Sequence, residues 1–281
     1  MGAKPDLGEI LLGIEGLALL RLAFSGDAEA RRARIEEMRA LLGNLTEQTE
    51  LGSPLKGPEY QLIEGYAAWS KTYDQPLRLF SIEEPAMKSR LDPLPAGTLL
   101  DVACGTGRYS AYMAGRGHQV IGIDLSPDML ALARAKLPEA EFREGDMESL
   151  PFEDASVDTA ICALALVHLK DIRRAIAEMA RVLRPGGRLI ISDVHPMPIL
   201  LGWQAQFRTA EGDAGFMRIH PHLLSDYCEA AIAAGLAVLS CAEPRLTPAS
   251  AITPAAEILP DANLAAWVGL PGVVVWEFQK V

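Results

Sequence analysis

The sequence predicts an α/β fold, in which a mostly parallel seven-stranded sheet with an antiparallel last strand follows an N-terminal helical extension. Apolar strand patterns alternate with helical patterns between residues 98 and 194, which is typical of a parallel sheet flanked by helices. Val120, Ile121 and Ile123 form the nearly continuous apolar run of a strand covered on both faces. No helix is predicted between the last two strands, so we expect them to be antiparallel.

Ahead of the sheet, residues 7–24 and 27–43 have the spacing of two amphipathic helices. The segment 51–58 is rich in Gly, Pro and Ser, so we place a domain boundary there. Residues 1–58 are then an N-terminal helical extension, and residues 59–281 are the main domain. We expect the extension to act as a lid or as a dimer element that joins two copies of the chain.

The main domain begins with a helical segment that carries the aromatic residues Tyr60, Tyr66, Trp69 and Tyr73. Trp69 is expected to pack in a core. The tyrosines are suited to closing over a ligand, because each combines an apolar ring with a polar hydroxyl. A further helix reaching Arg90 precedes the sheet.

The alternating region and the chain after it supply seven strands. They are predicted at 98–103, 119–123, 140–144, 157–163, 188–194, 236–242 and 272–278, with helices at 107–115, 127–136, between Asp171 and Pro185, and at 222–234. The segment at about 195–221 interrupts this alternation and is unusually apolar for a connection, so we expect an inserted substrate cover. A Pro-rich loop, without a helix, leads into the last strand.

Composition excludes several classes of function. The chain has 281 residues and a formal net charge of -11, so a polyanion would be repelled and nucleic acid is not an expected substrate. The four cysteines are scattered without a CxxC pair, which is typical of reduced thiols in a cytoplasm. The apolar run 10–24 is interrupted by charges and is shorter than the ~20 residues of a membrane span, so no membrane partner is expected.

Three carboxylates lie at or near the ends of successive strands, and in a doubly wound parallel sheet those carboxyl ends share one crevice. Asp124 comes after a glycine turn containing Gly105 and Gly107, at the position where a nucleotide-binding protein holds ribose hydroxyls. Asp146 could accept a hydrogen bond from an exocyclic amine. Asp101 lies inside a strand, so we expect it to bond turn amides or to face a cationic ligand.

With these residues placed, the chain resembles the class I S-adenosylmethionine-dependent methyltransferases, specifically the ubiquinone/menaquinone-methyltransferase-like branch that acts on small molecules. The motifs that carry the resemblance lie at 100–107, 121–126, 145–147, 157–171 and 183–189. It implies a Rossmann-like fold, S-adenosyl-L-methionine as the cofactor and S-adenosyl-L-homocysteine as the product. The cofactor contacts that it implies are Tyr66, Tyr73, Asp101, Ala103, Gly105, Gly107, Asp124, Leu125, Met129, Asp146, Met147, Ala163 and His168. Ala103 departs from the family, which has glycine there, and is expected to tighten the turn.

A methyl transferase of this kind must hold a nucleophile in line and exclude water, and a general base helps when the nucleophile carries a proton. His195, just past the fifth strand, is the preferred catalytic candidate, and His168, past the fourth, is the second. A histidine that only caps the strand end is an equal interpretation for His195. His220 and His222 lack a third ligand beside them, so no metal is expected.

The sequence thus predicts transfer of a methyl group to an oxygen, nitrogen or carbon of a small, largely apolar metabolite. An NAD(P)-dependent oxidoreductase is an alternative, because a glycine turn followed by Asp124 suits a dinucleotide too, although that pattern requires Gly or Ala where Ser110 stands. A second alternative is a module that binds the cofactor without catalysis, or that uses it as a scaffold for a non-methylating cyclisation.

Overall fold

The computed structural model describes residues 6–25, 27–44, 51, 57–75, 78–251 and 253–281. The chain falls into two compact units. The first unit contains Met1–Gly57 and Arg245–Leu270, and the second contains Pro58–Pro244 and Pro271–Val281. Among the residues just given, no helix is both long enough and apolar enough to cross a membrane.

The secondary structure follows the predicted alternation closely. The described helices are α1 (Leu7–Leu22), α2 (Ala28–Asn44), α3 (Leu62–Tyr73), α4 (Phe80–Leu91), α5 (Arg108–Ala114), α6 (Pro127–Lys136), α7 (Arg173–Val182), α8 (Pro196–Leu200), α9 (Leu224–Ala233) and α10 (Pro260–Trp267). The described strands are β1 (Thr98–Val102), β2 (Gln119–Asp124), β3 (Glu141–Glu144), β4 (Val157–Ala163), β5 (Leu183–Val194), β6 (Ala205–Arg208), β7 (Ala214–Met217), β8 (Leu236–Ala242) and β9 (Val273–Lys280).

The second unit is built on a seven-stranded sheet with the order β3-β2-β1-β4-β5-β9-β8. Within the group β1 to β5, every pair of neighbouring strands is parallel. The last strand, β9, runs antiparallel to both β5 and β8. The prediction of a mostly parallel sheet with an antiparallel last strand is therefore confirmed.

Both faces of the sheet are covered at its central strands, which is why β1 and β4 are largely apolar. On β4, Ala160 and Cys162 pack with residues of α7 and α9, whereas Ile161 between them packs with residues of α4 and α5. All three side chains are fully buried. A large apolar side chain contributes about 1.5–3 kcal/mol when it is removed from water in this way. Because β1, β2 and β4 are parallel, their carboxyl ends lie together at one end of the sheet. We call this end the sheet edge.

The segment predicted as a cover contains α8 and a separate two-stranded hairpin, β6–β7. This hairpin lies against α3: the Trp69 and Phe207 rings stack with centroids 5.4 Å apart, and the Thr72 hydroxyl donates to the Arg208 carbonyl over 2.8 Å. Phe216 exchanges backbone hydrogen bonds with the chain just before α3. The hairpin and α3 therefore form one layer, which we call the cap layer.

The first unit corrects one prediction. The expectation that no helix precedes the last strand is wrong, because α10 lies between β8 and β9. Pro260 opens this helix in its first turn, where proline is tolerated. Ala262 and Ala266, one turn apart, are fully buried, and α10 packs against α1. The compact first unit thus includes 245–270, which the sequence placed with residues 59–281.

Candidate functional site

The glycine turn between β1 and α5 contains three residues with a left-handed backbone. Gly105 (φ 54°) and Gly107 (φ 75°) adopt it without steric cost, whereas Ala103 (φ 53°) does so with a side chain. A Cβ on Gly105 would meet no atom within 4 Å, so the turn borders open space there. A Cβ on Gly107 would approach the Cβ of Ala133 in α6 to 3.2 Å. Gly107 thus permits helix packing, and Gly105 is the position that leaves room for a ligand.

Asp101, near the end of β1, is buried beneath this turn. Its Oδ2 accepts a hydrogen bond from the Ser110 hydroxyl of α5 over 2.6 Å. The sequence predicted turn amides or a cationic ligand as its partner. The Ser110 hydroxyl is a donor that the sequence did not predict, and the cationic ligand stays a prediction. Burial raises the pKa of Asp101 to about 6, against the lowering effects of the Ser110 bond and the Arg108 charge. A cation placed beside this carboxylate would be attracted strongly.

Asp124 ends β2 and links it to the glycine turn. Its Oδ2 accepts the Gly105 amide and its Oδ1 accepts the Ser126 amide, each over 2.8 Å. Burial raises its pKa. The Leu125 amide also bonds this carboxylate and lowers its pKa, as the Ser126 and Gly105 amides do. A carboxylate has about four acceptor positions, so about one remains for a hydroxyl of a ribose. Leu125 follows directly, and Met129, buried in the first turns of α6, donates its amide to the Ser126 hydroxyl.

Asp146 and Met147 follow β3, beside the end of β2. The Gly145 amide donates to the Asp124 carbonyl over 3.0 Å, which fixes this segment against β2. Asp146 is exposed, and its Oδ1 accepts the Glu148 amide over 2.8 Å. Met147 is buried. Met147 packs in the core under the sheet, so the predicted adenine contact of Asp146 with Met147 stays a prediction.

Tyr66 and Tyr73 lie on α3 with their ring centroids 6.1 Å apart. Burial raises the pKa of both hydroxyls, that of Tyr73 to about 12, and the Asp124 charge raises both further. Because the Asp124 charge affects both hydroxyls, the two tyrosines lie within electrostatic range of the predicted ribose carboxylate. Trp69 packs between Tyr66 and Phe207, with its ring nearly parallel to each. Trp69 is half-buried, so its expected role in a core stays a prediction.

His168 ends the short 3-10 turn Leu166–His168 that follows β4. Its Nε2 lies 2.7 Å from the Tyr66 hydroxyl, which joins the sheet edge to the cap layer. Burial lowers the pKa of His168 to about 4, so the ring is neutral at pH 7. Ala163, the last residue of β4, pairs with Ser192 of β5 just before this turn.

His195 is placed differently from His168. It is buried at the start of α8, where its Nδ1 accepts the Met197 amide over 3.1 Å. Its Nε2 lies 2.9 Å from Glu243 Oε1, so Nε2 carries the proton that the carboxylate accepts. Both ring nitrogens are thus engaged. The role of His195 as a base stays a prediction, and it would require the Met197 amide to release Nδ1.

The sequence did not point to two buried carboxylates near the sheet edge, those of Glu83 and Asp193. Glu83 of α4 is fully buried and accepts hydrogen bonds from Arg108, Tyr109 and Ser192. Asp193, near the end of β5, is fully buried and accepts the Tyr227 hydroxyl over 2.8 Å. The signal that selected Asp101, an acidic residue inside an apolar strand, was also available for Asp193. No comparable signal marked Glu83, because its partners come from distant parts of the chain.

In the described ranges, no group of three or more His, Cys, Asp or Glu side chains is placed to hold a metal ion. His222 is instead buried, with its Nε2 at 3.1 Å from the Leu166 carbonyl and 3.0 Å from the Leu169 carbonyl. The predicted residues that do come together are Gly105 with Asp124, and Tyr66 with Tyr73 and His168.

Residues 100–191 match a family model described as a methyltransferase domain. An O-methyltransferase, cnsE, of Penicillium expansum is 44% identical over 119 residues, which cover 39% of this chain and 43% of that protein. A demethylmenaquinone methyltransferase of Chlorobaculum tepidum is 44% identical over 100 residues, which cover 35% of this chain and 40% of that protein. The chain therefore spans less than half the length of these curated relatives.

The same architecture occurs in a solved structure. The S-adenosylmethionine-dependent methyltransferase of Mesorhizobium loti superposes with a TM-score of 0.55 at 24% identity, over 71% of this chain and 98% of that chain. At this identity the likeness shows the fold.

Proposed function

Because this chain carries a class I S-adenosylmethionine-dependent methyltransferase domain, we propose that it transfers the cofactor's methyl group to an oxygen, nitrogen or carbon of a small, largely apolar acceptor. The observation that carries the proposal is the junction of Gly105 and Asp124. There, a turn with open space above it is tied to a carboxylate that keeps a free acceptor position.

The residues at this edge fit the cofactor in three places. Asp124 would accept a ribose hydroxyl, and Asp146 with Met147 would hold the adenine. Asp101 would stabilise the positive sulfur, since no ion pair among the described residues uses its carboxylate. When bound, S-adenosylmethionine supplies a methyl group that is already activated by a positively charged sulfur.

The chain's own residues then orient the acceptor and exclude water. Tyr66 and Tyr73 of the cap layer would close the site over the reacting groups. His168 is neutral at pH 7, and in the tautomer with its proton on Nδ1 its Nε2 accepts the Tyr66 hydroxyl. A proton released by the acceptor would pass to Tyr66 Oη as the Tyr66 proton moves to His168 Nε2. We therefore place His168 ahead of His195 as the proton acceptor.

The apolar preference is supported by the residues around the cap layer. Val167, Ile199 and Ile219 form a buried cluster beside the His168 turn. On and just after α8, Met197, Leu200 and Leu201 remain partly exposed. Apolar side chains of this kind favour an acceptor with an apolar body, while a few polar groups fix its orientation.

Titration calorimetry tests the cofactor. We expect the protein to bind S-adenosylmethionine and S-adenosylhomocysteine and not NAD, whereas NAD binding alone would favour an oxidoreductase. Gly105→Val should weaken S-adenosylmethionine binding at least about 10-fold, because a branched side chain fills the open space at a left-handed position. Gly186→Val is the matched control, since Gly186 is also left-handed with open space but lies in the irregular start of β5.

The acceptor class is tested by incubating the protein and S-adenosylmethionine with matched pairs of acceptors that differ only in an added charge. Release of S-adenosylhomocysteine should be faster with the uncharged, apolar member of each pair. Cofactor binding without release of S-adenosylhomocysteine with any acceptor would favour a binding module. Faster release with the charged members would contradict the apolar preference.

A further inference from the structure

The turn that carries His168 is held by side chains that the proposed chemistry does not use. His222 is buried between α9 and this turn, and its Nε2 faces two backbone carbonyls, those of Leu166 and Leu169. Because carbonyls only accept, Nε2 must carry the proton and donate it to both. The Val167 carbonyl between them accepts the His220 amide over 2.7 Å. The turn is thus bound along its whole length by the segment 220–222.

A second contact holds His222 itself. The Tyr227 ring of α9 meets the His222 ring edge to face, with centroids 6.1 Å apart and planes at 87°. The Tyr227 hydroxyl in turn donates to Asp193 Oδ2. Tyr227 and Asp193 are both fully buried, so neither can exchange its partner for water without opening the core.

The Asp193 carboxylate also reaches the turn directly. The Val167 amide is directed at it and, with the Tyr227 hydroxyl and the Val194 amide, lowers a pKa that burial has raised. The turn therefore has a donor from His222 on its carbonyls and an acceptor from Asp193 on its amide side. Together they fix the position of His168, whose Nε2 meets the Tyr66 hydroxyl of the cap layer.

We propose that His222, supported by the Tyr227–Asp193 pair, is a positioning residue that keeps His168 against Tyr66. The proposal rests on the proposed function, because the position of His168 matters to the reaction only if His168 accepts a proton. A displacement of about 1 Å at a catalytic group can reduce a rate about 100-fold, so the position of this turn matters to the reaction.

The test compares three variants of the full chain. His222→Phe keeps a ring beside Tyr227 but removes the donor. His222→Gln can place its amide N–H where Nε2 stands, whereas His222→Asn is too short to reach both carbonyls. Ser225→Ala, at an exposed position of the neighbouring helix α9, is the control. If His222→Phe does not fold, the comparison of the Gln and Asn variants still decides.

The primary measurement is the side-chain nitrogen NMR spectrum of histidine-labelled protein, with His168 assigned through His168→Gln. In the wild type, His168 should stay neutral well below pH 6. In His222→Phe and His222→Asn, its signals should shift and its pKa should rise toward 6.5 as the turn loosens. His222→Gln and the control should retain the wild-type signals. Unchanged His168 signals in folded His222→Phe or His222→Asn would overturn the proposal.

A second measurement uses any acceptor that the wild type methylates. His222→Phe should lower kcat about 10- to 100-fold, with rescue in His222→Gln, while the Kd for S-adenosylmethionine stays within about 2-fold. A parallel loss of cofactor affinity would indicate a structural role instead and contradict the proposal. The spectrum needs no acceptor, so it separates failure of this proposal from failure of the proposed methyl transfer.

Discussion

Single residues at the sheet edge adopt strained backbone conformations or bury carboxylates, and both cost free energy. Ala103 adopts a left-handed backbone in which an L side chain is strained, and Leu164 does so at the end of the neighbouring strand β4. Asp101 and Asp193 are buried carboxylates without an ion pair among the described residues. Strain and desolvation of this kind concentrate where a protein binds ligands or performs chemistry. Two predictions follow from the individual residues.

Ala103→Gly should stabilise the protein. Releasing the left-handed strain gains about 1–2 kcal/mol, and the greater freedom of glycine in the unfolded chain costs about 0.5–1 kcal/mol, so the free energy of unfolding should rise by up to about 1.5 kcal/mol. Urea denaturation measures this change. Ala111→Gly, in the middle of α5, is the control and should instead lower the free energy of unfolding by about 1 kcal/mol. Loss of stability in Ala103→Gly would contradict the strain.

Asp193→Asn should change how stability depends on pH. Burial raises the pKa of Asp193 from 3.8 to about 7, so between these values the folded protein keeps a proton that the unfolded chain releases. The free energy of unfolding therefore falls as pH rises through this window, by up to about 1.4 kcal/mol per pH unit. In Asp193→Asn this fall should be shallower when urea denaturation is repeated across the window. Asp128→Asn, at an exposed position of α6, should keep the wild-type slope.

At the scale of elements, the sheet and the cap layer follow different rules. The strands β1, β2, β4 and β5 are defined by local apolar runs that are buried on both faces, so the sequence pattern predicts them. The cap layer depends on contacts between α3 and a hairpin more than 130 residues later, such as Thr72 with Arg208. No local pattern encodes that pairing. The helix α10 is a second element that local pattern did not reveal.

Arg21→Ala should loosen α10. The Arg21 guanidinium donates to the carbonyls of Ala265, Ala266 and Val268 over 2.7–3.0 Å, which satisfies the free acceptors at the end of that helix. Removing an exposed cap of this type should cost about 1 kcal/mol. Hydrogen exchange of the α10 amides should accelerate, whereas Arg32→Ala, at an exposed position of α2, should leave it unchanged. Equal protection in both variants would show that Arg21 does not hold the helix end.

At the scale of the whole molecule, the chain forms two compact units, and the first one combines Met1–Gly57 with Arg245–Leu270. The first unit exposes large apolar side chains: Phe24 is fully exposed, and Leu20 and Leu42 keep 71% and 61% of their surface in water. Exposed large apolar side chains can contribute apolar area to a contact between two chains. The homodimer through the N-terminal helices stays a prediction, and these residues are where it can be tested.

If the N-terminal helices pair two copies, light scattering after gel filtration should give twice the mass of the chain at high micromolar concentration. Phe24→Ser and Leu20→Ser should shift the mass to that of one chain, because they remove apolar area from the contact. Ile232→Ser, an exposed position of α9 in the second unit, should leave the dimer intact. A single-chain mass for the wild type at every concentration would contradict the dimer.

The sequence by itself determined the parallel strands of the sheet and the glycine turn after β1, because strand burial and turn geometry depend on residues close together in the chain. The reversed last strand is confirmed, but the reason given for it, a connection without a helix, is wrong because α10 lies there. Tertiary structure alone decided the partners of the buried polar groups. Ser110 for Asp101, Tyr66 for His168 and His222 for the His168 turn come from segments brought together by packing. It also assigned 245–270 to the first unit. A polar residue in an apolar segment of the sequence is expected to need a hydrogen-bond partner, but only the folded chain determines which residue supplies it.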